Sequence, residues 1–473
     1  MNLLSNVKWN TISQIFKILI QSINLIYLAK LIPPTEYGLL AIAVVFVNFA
    51  NLLRDLGTSA SLVQSKILTE GLINTVFWFN LLMGIAICIL LCLVSPIISN
   101  FYEHNELKYI LVLLSITFPL SSVATAHLAL LERDSKFKKT SVIEVISSSF
   151  SVIVAIVLAK IGYGVYSLVI QSIVLNLLSA IMFWIASGWN PSIRLFIQPN
   201  ELKRIFGFSA NLTGFNFINY FSRNLDSFLI GKFMSTSILG NYNLAYRIML
   251  FPLQSLTFIM ARSLYPILSH YQDDEVRVRD NYLKCVFVVL AISAPLMSGI
   301  ALFSQDIVNV FFGDKWVLTG IILQWLAPTA IIQSVLSTTG AVFTAKGRTD
   351  ILFRLGGIGA ILQVTAFFIG IKCDIQTFAL CYFIANAINF FPVMFILLRL
   401  IKCPLIVFLK GLLLIGFSTI IMFLSLYYVK VNMFDEPFNL YSLILISLLG
   451  VLIYSFVLFI NVRFFSSVLS KAN

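Results

Sequence analysis

Residues 215–240 read FNFINYFSRNLDSFLIGKFMSTSILG, and the other predicted helices are interpreted around this stretch. It is apolar enough to predict a membrane-spanning helix, yet it contains an arginine and an aspartate. Four of its polar residues share one face of a helix, at spacings of i, i+3, i+7 and i+10: Asn216, Asn219, Arg223 and Asp226. Ionisable residues inside a span usually face a bundle interior or a water-filled cavity. We therefore predict a helical bundle around a cavity that this face lines.

The composition extends this prediction to the whole chain. Of its 473 residues, 59% are hydrophobic and only 11% are charged, and the mean hydropathy is +0.95. Soluble domains carry about 25% charged residues, so the sequence predicts an all-α integral membrane protein. No hydrophilic segment is long enough for a separate soluble domain. The net charge of +12 fits basic loops that set membrane orientation better than a nucleic-acid partner, and we expect no such partner.

The cysteine and histidine patterns predict neither a metal site nor a disulfide framework. Six cysteines are scattered along the chain, and no spacing between them matches a zinc site. The three histidines lie far apart in sequence, and none belongs to an HExxH motif. We therefore expect no metal, no cofactor and no catalytic residues. Lys17 and Gln21 lie in the first span, which favours a retained helix over a cleaved signal peptide.

Apolar segments of about 20 residues, the length that crosses a bilayer, recur along the chain. We predict fourteen spans, at 9–31, 37–55, 74–99, 108–130, 141–160, 164–187, 206–231, 241–264, 281–304, 320–344, 351–371, 376–399, 404–429 and 440–461. The loops between these spans are short. This pattern favours a compact bundle over a protein with a catalytic domain outside the membrane.

The basic residues predict the orientation of the spans. The N-terminus, every second loop and the C-terminus, with the adjoining span ends, hold 21 of the 32 Lys and Arg residues, and the seven opposite loops hold seven. Cytoplasmic loops are the ones enriched in Lys and Arg. We therefore predict that both termini are cytoplasmic and that the number of spans is even.

Short matches between two parts of the chain predict an internal repeat. They are residues 29–38 with 231–240 at an offset of 202, residues 96–102 with 306–312 at 210, and Pro119 with Pro328 at 209. The first match aligns Lys30 with Lys232 and Gly38 with Gly240. Their consistent order predicts two six-span copies, related by an axis along the membrane normal with a substrate site between them. The predicted domains are the halves 1–200 and 201–402, followed by two further spans in 403–473.

Spans 1, 2, 7 and 8 begin the two copies, and all four carry polar faces. The predicted cavity residues are Lys17, Gln21 and Asn24 in span 1, Asn48 and Asn51 in span 2, Asn216, Asn219, Arg223 and Asp226 in span 7, and Arg247 in span 8. The cavity has a cationic bias, because three basic residues face one aspartate. At the offset of 202, Arg223 corresponds to Gln21 and Asp226 to Asn24, so the second half alone carries charge at these positions.

Each charged residue has two interpretations. Arg223 and Asp226 either form a structural ion pair or hold a diphosphate or acidic sugar, which the planar guanidinium suits. Lys17 and Arg247 either extend toward an interface or guide an anionic headgroup along the cavity. Glu144, at the start of span 5, is expected at the membrane interface.

Several motifs, in order, resemble the Wzx-type flippases of the multidrug/oligosaccharidyl-lipid/polysaccharide exporter superfamily, in their colanic-acid-exporter-like branch. The motifs are LAKLIPPTEYG at 28–38, DLG at 55–57, LVQ at 62–64, LERD at 131–134 with Phe137, Arg223 and Asp226 before Ile230 and Gly231, Gly240 before Tyr242 and AYR at 245–247, and LYPILS at 264–269. The resemblance covers residues 1–400 approximately.

This resemblance implies an inverted-V bundle of two six-helix halves that alternates access. It implies transfer of an undecaprenyl-diphosphate-linked oligosaccharide to the outer leaflet of a bacterial plasma membrane, in surface polysaccharide synthesis. The expected partners are that lipid-linked oligosaccharide, membrane lipids, H⁺ or Na⁺ as the coupling ion and a polysaccharide polymerase. Two alternatives are a multidrug or cation antiporter, against which the basic cavity argues, and a membrane polysaccharide polymerase, for which the outer loops are short.

Overall fold

The computed structural model describes residues 3–55, 62, 68–199, 220, 224–272, 274–433 and 438–470. These residues form helices and contain no β-strand. The chain divides into two compact units, Met1–Gly240 and Asn241–Asn473.

The described residues of unit 1 contain seven helices. They are α1 (Leu3–Leu31), α2 (Pro34–Asp55), α3 (Glu70–Tyr102), α4 (Asn105–Ser115), α5 (Thr117–Arg133), α6 (Phe137–Ile161) and α7 (Val165–Ser187). A 3₁₀ turn at Ile193–Leu195 follows, and residues 224–233 are helical. The next helix, α8 (Thr236–His270), begins in unit 1 and continues into unit 2.

Unit 2 continues with seven further described helices. They are α9 (Glu275–Leu302), α10 (Ser304–Phe311), α11 (Val317–Ala345), α12 (Thr349–Gly370), α13 (Ile375–Leu400), α14 (Leu405–Met433) and α15 (Leu440–Ser470). A 3₁₀ turn at Asp314–Trp316 precedes α11.

Eleven helical segments of the described residues are long and apolar enough to cross a membrane. They coincide with predicted spans 2 to 6 and 9 to 14, and the chain is therefore a multi-pass membrane protein. Predicted spans 1 and 8 are helical, as α1 and α8, but do not belong to these eleven. Predicted span 7 lies mostly outside the described residues. The all-α class is confirmed, whereas the count of fourteen spans stays a prediction.

Local signals in the sequence explain where several helices begin and end. The Thr69 hydroxyl accepts a hydrogen bond from the backbone N–H of Leu72 at 3.1 Å and caps α3. Asp374 caps α13 in the same way, and the hydrogen bond from the Thr377 hydroxyl holds the pKa of its carboxyl below the usual range. Gly162 ends α6 in the left-handed conformation, at φ 97°, that glycine adopts without strain.

Predicted span 4 is interrupted in the structure. Helix α4 ends at Ser115 and α5 begins at Thr117, so the chain breaks its helix at Ile116. Pro119 explains the break, because it has no N–H to donate to the carbonyl four residues earlier. Pro328, its predicted match in the repeat, lies inside the continuous helix α11.

The N-terminal ends of α2 and α8 cross in very close contact within unit 1. A Cβ atom added to Gly38 would lie 1.8 Å from the carbonyl oxygen of Thr236, the first residue of α8. A Cβ atom added to Gly240 would lie 1.9 Å from the carbonyl oxygen of Pro34, the first residue of α2. Both glycines permit an approach that any larger residue would prevent. The contact is reciprocal, because each glycine meets the first residue of the other helix.

A folded segment after α7 covers one end of α3. The backbone N–H of Ser192 donates to Asn74 Oδ1 at 2.6 Å, and that of Gln198 donates to Thr75 Oγ1 at 3.0 Å. Beside these bonds, the buried ring of His127 lies 4.7 Å from the ring of Trp184, and its Nδ1 shares a 2.8 Å hydrogen bond with the Ser187 hydroxyl. These contacts fix the chain that leads toward residues 215–240.

In unit 2, helices α9, α11 and α13 bury the main apolar core. Helix α14 packs on α9, where the rings of Phe287 and Phe408 stack at 6.2 Å. An ion pair attaches the C-terminal end of this helix to α10, since Lys430 Nζ lies 2.6 Å from Asp306 Oδ2. The two side chains are 22% and 11% exposed, so the pair is largely withdrawn from solvent. The α14–α15 hairpin is thus bound to the rest of unit 2 by both apolar and ionic contacts.

Candidate functional site

The polar face predicted at residues 215–240 is only partly described. Asn216, Asn219 and Arg223 lie outside the described residues. Asp226 is buried, with 4% of its surface exposed, and its Oδ1 accepts a hydrogen bond from the backbone N–H of Ser227 at 2.6 Å. Residues 224–233 are helical, so Asp226 lies on a helix as the sequence predicts. A buried carboxylate in a membrane protein is an expensive feature, which favours a functional or pairing role.

Lys17 forms an ion pair with a residue that the predicted cavity did not include. Its Nζ lies 2.6 Å from Oε2 of Glu144, which lies on α6 beside α1. The Lys17 side chain is 24% exposed and that of Glu144 is 39% exposed. The ion pair therefore neutralises one of the three basic residues assigned to the cavity.

Asn24 also pairs across helices. Its Nδ2 donates to Oε1 of Gln171 on α7 at 3.4 Å, while its Oδ1 is buried without a hydrogen-bond partner among the described residues. A buried acceptor without a partner is costly, so this oxygen is suited to a water or a donor from a ligand. These side-chain hydrogen bonds join α1 to α6 and to α7.

The remaining predicted residues lie at more open positions. Gln21 on α1 and Asn48 on α2 are exposed, and Asn51 is half-buried. Arg247, on the part of α8 that belongs to unit 2, is exposed as well. In a membrane protein, exposed polar groups of this kind fit faces that meet water better than faces that meet lipid.

Glu144 and Gln171 are the residues that the sequence reasoning missed. The sequence predicts Glu144 at the membrane interface and assigns no role to Gln171. A signal for both exists in the sequence, since each is a large polar residue within a predicted span. What the sequence does not show is which helix each of them faces.

Each unit also contains an apolar groove. One, of about 420 Å³ in unit 1, is lined by side chains of α2 and α3 and by Tyr220 and Phe228. The other, of about 630 Å³ in unit 2, lies among α9, α10, α14 and α15. Its lining is almost wholly apolar and includes Pro295, Ile300 and Leu443. Volumes of this size are typical of pockets for small ligands or single lipid chains.

Within the described residues, no group of three His, Cys, Asp or Glu side chains is placed to hold a metal ion. The features that are present are long apolar helices, polar groups between neighbouring spans and apolar grooves. Together they define a multi-pass helical membrane protein whose spans carry polar contacts in their interior.

Comparison with known proteins identifies the family to which this membrane protein belongs. Residues 27–321 match the model of a family described as polysaccharide biosynthesis proteins, and the chain belongs to this family. It is 27% identical over 406 residues to the teichuronic acid biosynthesis protein TuaB of Bacillus subtilis, covering 85% of this chain and 84% of that protein. It is 26% identical over 373 residues to the lipopolysaccharide biosynthesis protein WzxC of Escherichia coli, covering 78% and 75%.

Solved structures share the fold. The lipid II flippase MurJ in an inward closed conformation superimposes with a TM-score of 0.76 at 18% identity, covering 96% of this chain and 98% of that chain. An inward-facing multidrug resistance MATE family transporter of the MOP superfamily superimposes with a TM-score of 0.65 at 13% identity, covering 82% and 94%. The fold is therefore the one that these membrane transporters share.

Proposed function

We propose that the protein is a flippase that moves an undecaprenyl-diphosphate-linked oligosaccharide across a bacterial plasma membrane for surface polysaccharide synthesis. The observation that carries this proposal is the combination of family and fold. The family is that of polysaccharide biosynthesis proteins, and the fold matches a lipid II flippase over 96% of the chain. Relatives include the succinoglycan biosynthesis transport protein ExoT of Rhizobium meliloti, at 24% identity over 408 residues. No bond is made or broken, so the protein is a transporter and not an enzyme.

The proposed architecture has fourteen spans in two six-helix halves, 1–200 and 201–402, with an additional pair in 403–473 and both termini in the cytoplasm. The reciprocal contact of Gly38 and Gly240 supports the repeat. These glycines are 202 residues apart, and so are Pro34 and Thr236, whose carbonyls they meet. A two-fold relation between the halves produces a contact of this kind.

The proposed route separates the polar and apolar parts of the substrate. The diphosphate and sugars pass along the polar residues of the cavity, with Arg223, Arg247 and Lys17 as the cations and Asp226 as their acidic partner. Gln21, Asn24, Asn48, Asn51, Asn216 and Asn219 supply neutral hydrogen bonds. The prenyl chain stays in the apolar phase, for which the groove beside α14 and α15 offers about 630 Å³. A gradient of H⁺ or Na⁺ drives the exchange of access, and a polysaccharide polymerase receives the product.

Deletion of the gene tests this function. We expect lipid-linked repeat units to accumulate on the cytoplasmic side and surface polysaccharide to disappear, with both effects reversed by the wild-type protein. The contrasting outcome is normal polysaccharide together with increased sensitivity to cationic drugs, which would instead identify a multidrug antiporter.

Arg223→Ala tests the predicted site in the same strain. We expect surface polysaccharide to fall at least tenfold while the protein level persists, because losing a charge-assisted phosphate contact costs about 1.5–3 kcal/mol. Arg194→Ala is the matched control, since Arg194 is exposed in the segment after α7. Normal polysaccharide from Arg223→Ala would remove Arg223 from the site.

A further inference from the structure

The apolar groove of unit 1 is lined by α2, α3, the helical residues 224–228 and Tyr220, and it has a volume of about 420 Å³. Two of its lining side chains are polar, and both donate hydrogen bonds to backbone carbonyls. The Tyr220 hydroxyl donates to the carbonyl of Val45, and Asn224 Nδ2 donates to that of Tyr220 at 2.9 Å. All the other lining residues are apolar. The groove is therefore suited to an occupant that needs no polar partner.

The groove opens onto a face of α3 that suits lipid. Leu90 lines the groove and is 53% exposed, and the exposed Leu93 and Ile97 lie on the same face of this span, at i+3 and i+7. An exposed apolar stripe on a helix that crosses a membrane is suited to contact with hydrocarbon. Ile87 and Leu91 also line the groove, but they are only 5% and 6% exposed. The groove thus continues the lipid-facing surface of α3 into the protein.

The length of the groove matches one leaflet of a bilayer. Along α3 it extends from Ile87 to Ile98, which is about 17 Å at a rise of about 1.5 Å per residue. Half of a hydrocarbon core is about 15 Å thick. Beyond Ile98, the ring of Tyr102 packs edge to face against those of Phe46 and Phe228, at 6.1 and 5.9 Å, and limits the groove at this end. A groove of this length takes one acyl chain, whereas an undecaprenyl chain is far longer.

We propose that this groove binds one acyl chain of a membrane phospholipid, which enters sideways from the bilayer and packs between α2, α3 and residues 224–228. An empty groove would leave its walls without dispersion contacts on one side. A bound acyl chain supplies those contacts without any polar bond. The phospholipid thus becomes part of the packing that holds the described part of predicted span 7 against α2. This site goes beyond the proposed transport, since the chain of the cargo has no role in it.

Photolabelling of the full-length protein in phospholipid vesicles tests this site. The probe is a phosphatidylglycerol with a diazirine on one acyl chain, and mass spectrometry of the irradiated protein locates the adducts. We expect adducts on Ile87 and Leu91, because these buried side chains meet a lipid chain only inside the groove. Exposed positions such as Leu93 and Ile97 should be labelled as well, by lipids of the bilayer. Adducts confined to exposed positions would overturn the proposal.

Two variants that fill the groove extend this test. Ala50→Phe places a ring in the groove from α2, and Val94→Phe does so from α3. Each should lose the adducts on Ile87 and Leu91 while its melting temperature shows that it is folded. Leu93→Phe is the matched control, since it enlarges an exposed side chain of α3 outside the groove and should keep these adducts. Folded groove variants that keep the adducts would contradict the site.

A polyprenyl phosphate with the same diazirine separates the two sources of an apolar chain. It should leave Ile87 and Leu91 unlabelled under conditions in which the phosphatidylglycerol probe labels them. Equal or stronger labelling by the polyprenyl probe would assign the groove to the cargo and contradict the phospholipid site. Failure of the phospholipid site would leave the proposed function intact, because the gene deletion measures transport and not the occupancy of this groove.

Discussion

At the scale of single residues, two glycines allow two helices to pack in close contact. Gly38 and Gly240 lie where a helix meets the first carbonyl of another helix at a distance that no Cβ allows. The motif LAKLIPPTEYG at 28–38, which resembles that of the flippases, ends in Gly38. Its Glu36 has a packing role as well, because its carboxylate accepts a hydrogen bond from the backbone N–H of Val165 at the start of α7. This part of the motif therefore holds helix ends together.

Gly38→Ala should destabilise the protein although alanine favours helices. The added methyl would lie 1.8 Å from the backbone of Thr236, which cannot rotate away as a side chain can. Overpacking of this kind costs about 1–3 kcal/mol, more than the gain of about 1 kcal/mol in helix propensity. The melting temperature of the purified protein in detergent measures the effect, and a decrease is expected.

Gly357→Ala is the matched control for this prediction. Gly357 lies on α12, and a Cβ atom there would meet nothing within 4 Å. This variant should leave the melting temperature unchanged or raise it slightly. Equal behaviour of the two variants would mean that the crossing of α2 and α8 relaxes without cost.

At the scale of helices, hydropathy predicts well which segments are helical. It predicts poorly which helices are in contact. The predicted spans 164–187 and 376–399 agree with α7 and α13 to within one residue at each end, because long apolar runs between polar loops define them. Spacing also places Lys17 and Asn24 on α1, as the structure shows. Their partners Glu144 and Gln171 are 127 and 147 residues away, and only tertiary packing selects them. A periodic pattern shows which residues share a face, but not which helix that face meets.

The α14–α15 hairpin depends on an ion pair that the sequence did not reveal. Lys430 also donates to the Leu302 carbonyl at 3.3 Å and lies over the rings of Phe303 and Phe438, at 5.2 and 5.8 Å. Lys430→Met would leave Asp306 largely buried without this cation. Breaking a buried pair in this way costs about 3–5 kcal/mol, and the partial exposure of Lys430 places the expected loss near the lower limit. The melting temperature in detergent should fall clearly.

Lys232→Met provides the comparison for Lys430→Met. Lys232 pairs with Glu103 at 3.0 Å, but the Glu103 side chain is 81% exposed. Exposed pairs contribute at most about 1 kcal/mol, so this variant should shift the melting temperature much less. Similar shifts for both lysines would show that the pair at α10 does not hold the hairpin.

At the scale of the whole molecule, orientation decides which way the proposed cargo moves. The excess of basic residues at one set of loops, 21 against seven, predicts that both termini are cytoplasmic. The turn between α12 and α13, at residues 371–374, then faces the outside. Cys373 is an exposed natural cysteine in this turn, which makes the orientation measurable without adding a reporter domain.

A membrane-impermeant maleimide should label the wild-type protein in intact spheroplasts, and Cys373→Ser should lose this label. Cys403 does not interfere, since it is buried beside α13. Lys139→Cys, at an exposed position in the first turn of α6, should react in the Cys373→Ser background only after permeabilisation. The reverse labelling pattern would show that the topology is the opposite of the predicted one. Cys373 would then face the cytoplasm, and the basic residues at 133–139 would have crossed the membrane against the usual charge bias.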